Sequence, residues 1–417
     1  MFVRRSTFSS VLLLACLMTG FFGIRAAAQT FSVLHMFNGG GHDGALPYSG
    51  VTLDAAGNLY GTTYYGGNEG WGVVYKLART GDHWAVTVIN DFAASGGGNA
   101  PIGGVVFGAN GTLYGTTTGH VYCEMGCGAV FSLRPASSSG RTPAAPWVLT
   151  PIHYFTGGPD GGVPLYGNLA VDASGNIFGT TSTGGTNSAG VVFQFEPAGQ
   201  GYTENVIQNF TGDNGYFPYG SVLADPDGNL YTTASAGGAN GGGAVIEITP
   251  SGGGWIGNVI YSFAASNDGW NPKAGLTRDR AGNLYGTTYS GDYPDYSNGV
   301  VFELTRSNGH WQETILKAFP YVPQQPPSGP ISPVVLDSAG NLYGTTNGGG
   351  AFGWGTVFEL SPSAGGWTYR DLHDFSGADG TNPYGALAID GNGNLYGTTS
   401  LGGTSCNCGT IWELQTH

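Results

Sequence analysis

Seven times along the chain an aromatic residue stands in a nearly constant setting, typified by Asn-Leu-Tyr-Gly-Thr-Thr. It falls at Tyr60, Tyr114, Phe178, Tyr231, Tyr285, Tyr343 and Tyr396, at intervals of 54, 64, 53, 54, 58 and 53 residues. A period of this length means one supersecondary unit repeated, and the repeat therefore governs the fold. The long second interval contains a Pro/Ser-rich insertion, "RPASSSGRTPAAP" (Arg134 to Pro146), of loop character.

Each period holds four β-like runs. Run a is "SGVTLD" (Ser49 to Asp54), run b is "NLYGTT", run c is "GVVYKL" (Gly72 to Leu77) and run d is "HWAVTVINDF" (His83 to Phe92). They are rich in Val, Ile, Tyr, Phe, Trp and Thr, the residues that suit a pleated surface. Four strands of about 5–6 residues with their turns fit the period. Apolar residues rarely recur at helical spacing, so no long helix is expected in the mature chain. Between a and b, "DAAGN" (Asp54 to Asn58) reads as a tight hairpin turn. Asp accepts backbone N–H groups there, and Gly57 takes the positive φ the turn needs. Leu59 and Tyr60 then point to opposite faces of one strand, both buried. Gly61 is expected to permit close approach between sheets.

The two ends are complementary. "FSVLHMF" (Phe31 to Phe37) is a run d without its a, b and c; "GTIWELQTH" (Gly409 to His417) is a run c without its d. Joining them closes a ring. The predicted fold is all-β: a seven-bladed β-propeller of four-stranded antiparallel blades, residues 29–417, closed by the N-terminal strand pairing with the last blade. An open solenoid would instead want polar capping repeats.

The first 28 residues predict an export signal. Arg4 and Arg5 precede an apolar stretch, Phe8 to Ile24, and "AAAQ" (Ala26 to Gln29) offers small residues for cleavage after Ala28. An alternative reading makes Cys16, in "LLAC", a lipidation site. Removal of the segment takes away Arg4, Arg5 and Arg25, so the formal charge moves from −14 to −17. That balance disfavours nucleic acid and anionic membranes as partners. Export permits disulfides. Cys123 and Cys127, in "CEMGC", and Cys406 and Cys408, in "CNC", are the candidate pairs. They lie in distant repeats, so a shared metal site is not expected from them.

The pattern D-x-x-G-N-L-Y-G-T-T followed by G-G and G-V-V-F-E-L resembles the GloVer tandem repeats of exported bacterial proteins with a choice of anchors. More loosely it resembles the NHL propeller repeat. The resemblance covers residues 31–417. It implies a surface or secreted location and a propeller-like fold, and no established activity. No apolar tail follows Leu414, so C-terminal anchoring is not expected.

Alternate connections of an antiparallel sheet share a side. The a–b turns are short and uniform; the b–c and d–a loops, on the other face, are long and variable, where binding residues usually sit. The d–a loops echo "DG…PYG". Asp43, Asp160, Asp213, Asp268 and Asp379 are expected to ring the channel mouth. Tyr48, Tyr166, Tyr219 and Tyr384 are expected to form an aromatic lip, joined by Trp71, Trp270 and Trp354. Planar rings with carboxylates suit sugars, and grouped carboxylates could hold Ca²⁺. Turn chemistry alone also explains the Asp-Gly pairs. His35, His153 and His373 recur at one place in run d, which argues for packing or cross-strand hydrogen bonds. His42 and His120 fall in loops without evident partners.

No Walker loop, H-E-x-x-H or G-x-S-x-G is present. No catalytic residue is assigned. The expectation is an exported, monomeric, non-enzymatic propeller that binds glycans or surface polymers, such as a polysaccharide, or serves structurally. The alternatives are a carbohydrate-active hydrolase or lyase using loop carboxylates, and a calcium-stabilised surface protein.

Overall fold

The computed structural model describes residues 29–93, 98–119, 127–136, 146–264, 268–291, 298–320, 328–403 and 405–416. The expected signal (1–28), His120, Cys123 and residues 137–145 of the insertion lie outside them. Seven four-stranded antiparallel sheets make up the molecule. Each runs a-b-c-d in space, as in the first blade: Thr52–Leu53, Leu59–Thr63, Val73–Thr80 and His83–Asp91. The last blade takes its a, b and c from Ala388–Ile389, Leu395–Thr399 and Thr410–Gln415. Its d is Thr30–Met36, and Phe31 lies opposite Leu414 in the ladder. The predicted closure is therefore present. Among the described residues the one helical turn is Ala109–Gly111.

The turn motif has a physical cause. Asp54 Oδ1 accepts the backbone N–H groups of Ala56 and Asn58, both at 2.9 Å. Its Oδ2 accepts the Asn58 side-chain amide at 2.7 Å and the Tyr60 hydroxyl at 3.1 Å. One carboxylate thus satisfies the turn and fixes the aromatic that follows. Gly57 closes the turn at φ 80°, a conformation costly for other residues. The same bonds recur at Asp225, Asp337 and Asp390.

Leu59 and Tyr60 are both buried, as expected. The role expected of Gly61 is corrected. A Cβ there would meet the Tyr75 hydroxyl of its own sheet at 2.4 Å and its ring at 2.6 Å. Gly61 and Tyr75 are cross-strand partners, so the glycine makes room for a ring lying over it rather than for a neighbouring sheet. The fourth blade confirms the reason: Thr232 replaces the glycine, and its partner is Ile246, not an aromatic.

Run a is also shorter than expected, two ladder residues instead of six. Residues 48–50 leave the ladder to line the axis. The first Thr of the Gly-Thr-Thr motif joins the blades there. Thr62 donates to the Gly103 carbonyl of the next blade at 2.8 Å, and Thr398 of the last blade donates to Ser49 of the first at 2.6 Å. Thr180, Thr233 and Thr287 repeat the contact.

The core is not central. It is divided into wedges between blades. One contains Tyr60, Val74 and Phe92 of the first blade with Leu113, Phe131 and Leu133 of the second. The closing wedge sets Phe37, Tyr396 and Ile411 against Leu59, Tyr75 and Leu77. Each blade buries both faces, so neither forms a stable surface alone.

Candidate functional site

The d–a segment crosses each blade from its outer strand to the axis. It is tied on the way to the b–c loop of the next blade. Gly44–Ala45 pairs with Tyr65–Gly66, and Gly162, Tyr216, Trp270 and Thr381 bridge to Thr183, Ala236, Ser290 and Leu401. The two variable loop sets therefore share one face, as the alternation of connections requires.

Tyr48, Tyr166, Tyr219 and Tyr384 come together at the axis, around a cavity of about 30 Å³ that Lys273 also lines. Tyr48 and Tyr384 meet edge to face with centroids 5.5 Å apart, and Tyr166 meets Tyr219 at 6.3 Å. Burial pushes the Tyr166 hydroxyl up to about 12, with Tyr384, Tyr48, Tyr219 and Tyr64 adding to it. Lys273 follows Pro272 in "NPKAG", where Tyr48, Tyr219 and Tyr384 follow the proline of their loops. Its Nζ lies 4.0 Å from the Tyr289 ring centre, and burial lowers its pKa. Sequence reasoning passed over Lys273, Tyr64, Tyr65 and Tyr289; aligning the loops would have singled out the lysine.

The aspartates do not ring the mouth. They sit where the loop leaves the outer strand. Asp43 accepts from Asn38 N–H at 3.0 Å and Gly44 N–H at 2.9 Å, and lies 3.1 Å from His35 Nε2. Asp379 lies 2.8 Å from His373 Nε2 and accepts from Ser376 N–H at 2.8 Å. Asp160 faces His153 at 3.1 Å, and Asp268 accepts from Tyr261 at 2.9 Å. Turn chemistry and strand d claim these carboxylates. Asp213 is exposed; Asn214 takes the equivalent role, accepting from Thr211 N–H at 2.8 Å. The recurrent histidines bond to the carboxylates of the loop that follows them, not across the ladder as expected.

Trp71, Trp270 and Trp354 are exposed on the loop face. So are Tyr65, Tyr166, Tyr216, Phe217 and Phe352. Every exposed Tyr, Phe or Trp among the described residues lies in a b–c or d–a loop. Cys406 and Cys408 are disulfide-bonded, with Cα atoms 5.3 Å apart. Cys127 is buried and oxidised, while Cys123 is outside the described residues.

Fold and site together define a seven-bladed β-propeller with a tyrosine-lined axis and one aromatic loop face. The chain belongs to the Gloeobacter/Verrucomicrobia repeat family, whose pattern matches residues 19–222, 140–296 and 278–417. A comparison with curated proteins gives no significant match. Among solved structures, a candidate 6-phosphogluconolactonase from Bacteroides uniformis is similar over 85% of this chain and 93% of its own, at 15% identity and TM-score 0.52. An ancestral GH74 enzyme is similar over 88% of this chain and 50% of its own, at 14% identity and TM-score 0.52. A candidate oxidoreductase (glucose dehydrogenase) from Thermus thermophilus matches over 78% of this chain and 98% of its own, at 17% identity and TM-score 0.45. The first two likenesses show the fold. No helix of the described residues is long and apolar enough to cross a membrane.

Proposed function

We propose that the protein is an exported, non-enzymatic propeller that binds glycans or surface polymers across its loop face. One observation carries this reading: among the described residues, the exposed aromatic side chains lie on that face alone. Large exposed apolar patches mark interaction sites, and rings with hydroxyl and amide neighbours suit sugar faces. In this reading a polymer lies across the tyrosine lip at the axis. Residues 1–28 have the three-part pattern of a cleaved export signal. The candidate 6-phosphogluconolactonase carries a name from sugar chemistry, which agrees with a carbohydrate ligand.

A hydrolase would want a carboxylic acid near neutral pKa beside the bound sugar. Glu204 and Glu313 are pushed up to about 7 by burial, but both stand on outer strands, away from the lip. The test is a glycan array with a polysaccharide-degradation assay, on wild type and on a Tyr48→Ala/Tyr384→Ala/Trp354→Ala variant. Binding without product release, weakened at least tenfold in the variant, is expected. Product release by the wild type would overturn the proposal.

A further inference from the structure

Outer strands of successive blades meet through one pair of positions. The first is two residues before the Phe that ends strand d; the second is six before that Phe in the next blade. At most junctions the pair is packing or a simple polar contact: Lys317 lies over Tyr369, and His373 stacks on Phe31. At the junction of the second and third blades it is His153 with Glu204, and Asp160 adds a second carboxylate. One ligand atom from each of the three lies within 4.8 Å of the others, the one such group among the described residues.

We propose that His153, Asp160 and Glu204 form a binding site for a divalent transition metal of the zinc class. The site lies between two blades and is separate from the loop face. His153 Nε2 lies 3.1 Å from Asp160 Oδ2 and 3.4 Å from Glu204 Oε2. Bonds of about 2.0–2.1 Å in a tetrahedron place neighbouring ligand atoms about 3.3 Å apart. The two spacings from His153 therefore suit an ion, and the two carboxylates lie within 4.8 Å of each other. Hydrogen bonding alone serves them poorly. A neutral imidazole has one N–H at Nε2 and faces two carboxylates, and the buried Glu204 Oε1 has no hydrogen-bond partner. A dication balances both negative charges and leaves a fourth position for water. Asp160 is already oriented: Thr156 donates its N–H to Oδ2 at 2.8 Å and its hydroxyl to Oδ1. Such outer bonds fix metal ligands in place.

The molecule supplies its own controls. His35–Asp43 and His373–Asp379 repeat the first two ligands, but the third position holds Val86 and Phe31. Tyr261, Asp268 and Glu313 repeat the two carboxylates without the imidazole.

The experiment strips the tag-free protein with chelator and titrates Zn²⁺ by calorimetry, with Co²⁺ as a spectroscopic probe. One equivalent should bind, raise the Tm and give the intense visible bands of four-coordinate Co²⁺. Glu204→Val should lose these; the first blade already carries Val at this position, so the fold accommodates it. Glu204→Gln, of the same shape, reads the same loss if the Val variant fails to fold. His373→Ala should bind as wild type does. No Zn²⁺ uptake by the wild type, or uptake unchanged by both Glu204 variants, would overturn the proposal.

Discussion

Phe31 stacks on His373 with ring centroids 3.6 Å apart and planes inclined by 3°. The first residue belongs to the closing strand and the second to the sixth blade. Their contact, with Trp412 at 5.6 Å from Phe31, locks the ring where the chain's two ends meet. Phe31→Ala should cost about 2 kcal/mol, less than a fully buried Phe because the residue is only partly buried. Equilibrium urea unfolding checks this; an unchanged midpoint would count against closure as a source of stability.

Tyr75 predicts the opposite sign. Its hydroxyl is fully buried and has no hydrogen-bond partner. The equivalent residues in the second, third, fifth and sixth blades are Phe131, Phe193, Phe302 and Phe358. Tyr75→Phe removes an unsatisfied polar atom and should stabilise by about 1 kcal/mol. A lower Tm in calorimetry would contradict it.

Glu313 should make the protein more stable in mild acid. Burial is the main cause of its rise to about 7; Asp268 adds to it and the Tyr261 hydroxyl opposes it. The folded pKa exceeds the unfolded value, so folding takes up a proton. The associated stability is full below the unfolded pKa near 4.3 and is lost as pH rises through about 7. Glu313→Gln should flatten that dependence, by about 1–2 kcal/mol between pH 5 and pH 8 after allowance for solvent screening. Chemical denaturation at both pH values reads the difference, and identical slopes would refute it.

Asp54 and Asp337 act in strong acid with the reverse sign. Burial alone would raise these carboxyls, but the hydrogen bonds from Asn58, Tyr60 and Ala56, and from Asn341, Ala339 and Tyr343, outweigh it and hold them low. Their stability is present above the unfolded carboxylate pKa and is lost as pH falls through the folded one. Asp54→Ala should cost about 1–2 kcal/mol at neutral pH and reduce the loss of stability below pH 4. A variant as stable as wild type would show the carboxylate to be dispensable to the turn.

Much of this was legible because the repeat multiplies each local signal. The Asp-to-Tyr turn, the buried Leu59–Tyr60 pair and the lip of Tyr48, Tyr166, Tyr219 and Tyr384 all follow from residue order. The misplaced aspartates show the limit. A loop that runs from rim to axis reads as one string, and only its path shows that Asp43 stays at the rim while Tyr48 reaches the centre. Lys273 was hidden for another reason: it departs from the repeat that draws attention.

By itself the sequence determined the blade, the number of blades and the closing strand, because spacing and strand chemistry are properties of neighbours along the chain. The tertiary structure alone decided what faces what across blades. His153 and Glu204 lie in different repeats, as do Tyr261 and Glu313, Lys317 and Tyr369, and Phe31 and His373. Each junction uses a different chemistry at the same two positions, so no shared motif announces the pairing. It arises because packing seven twisted sheets around an axis brings one outer strand against the next at a fixed height.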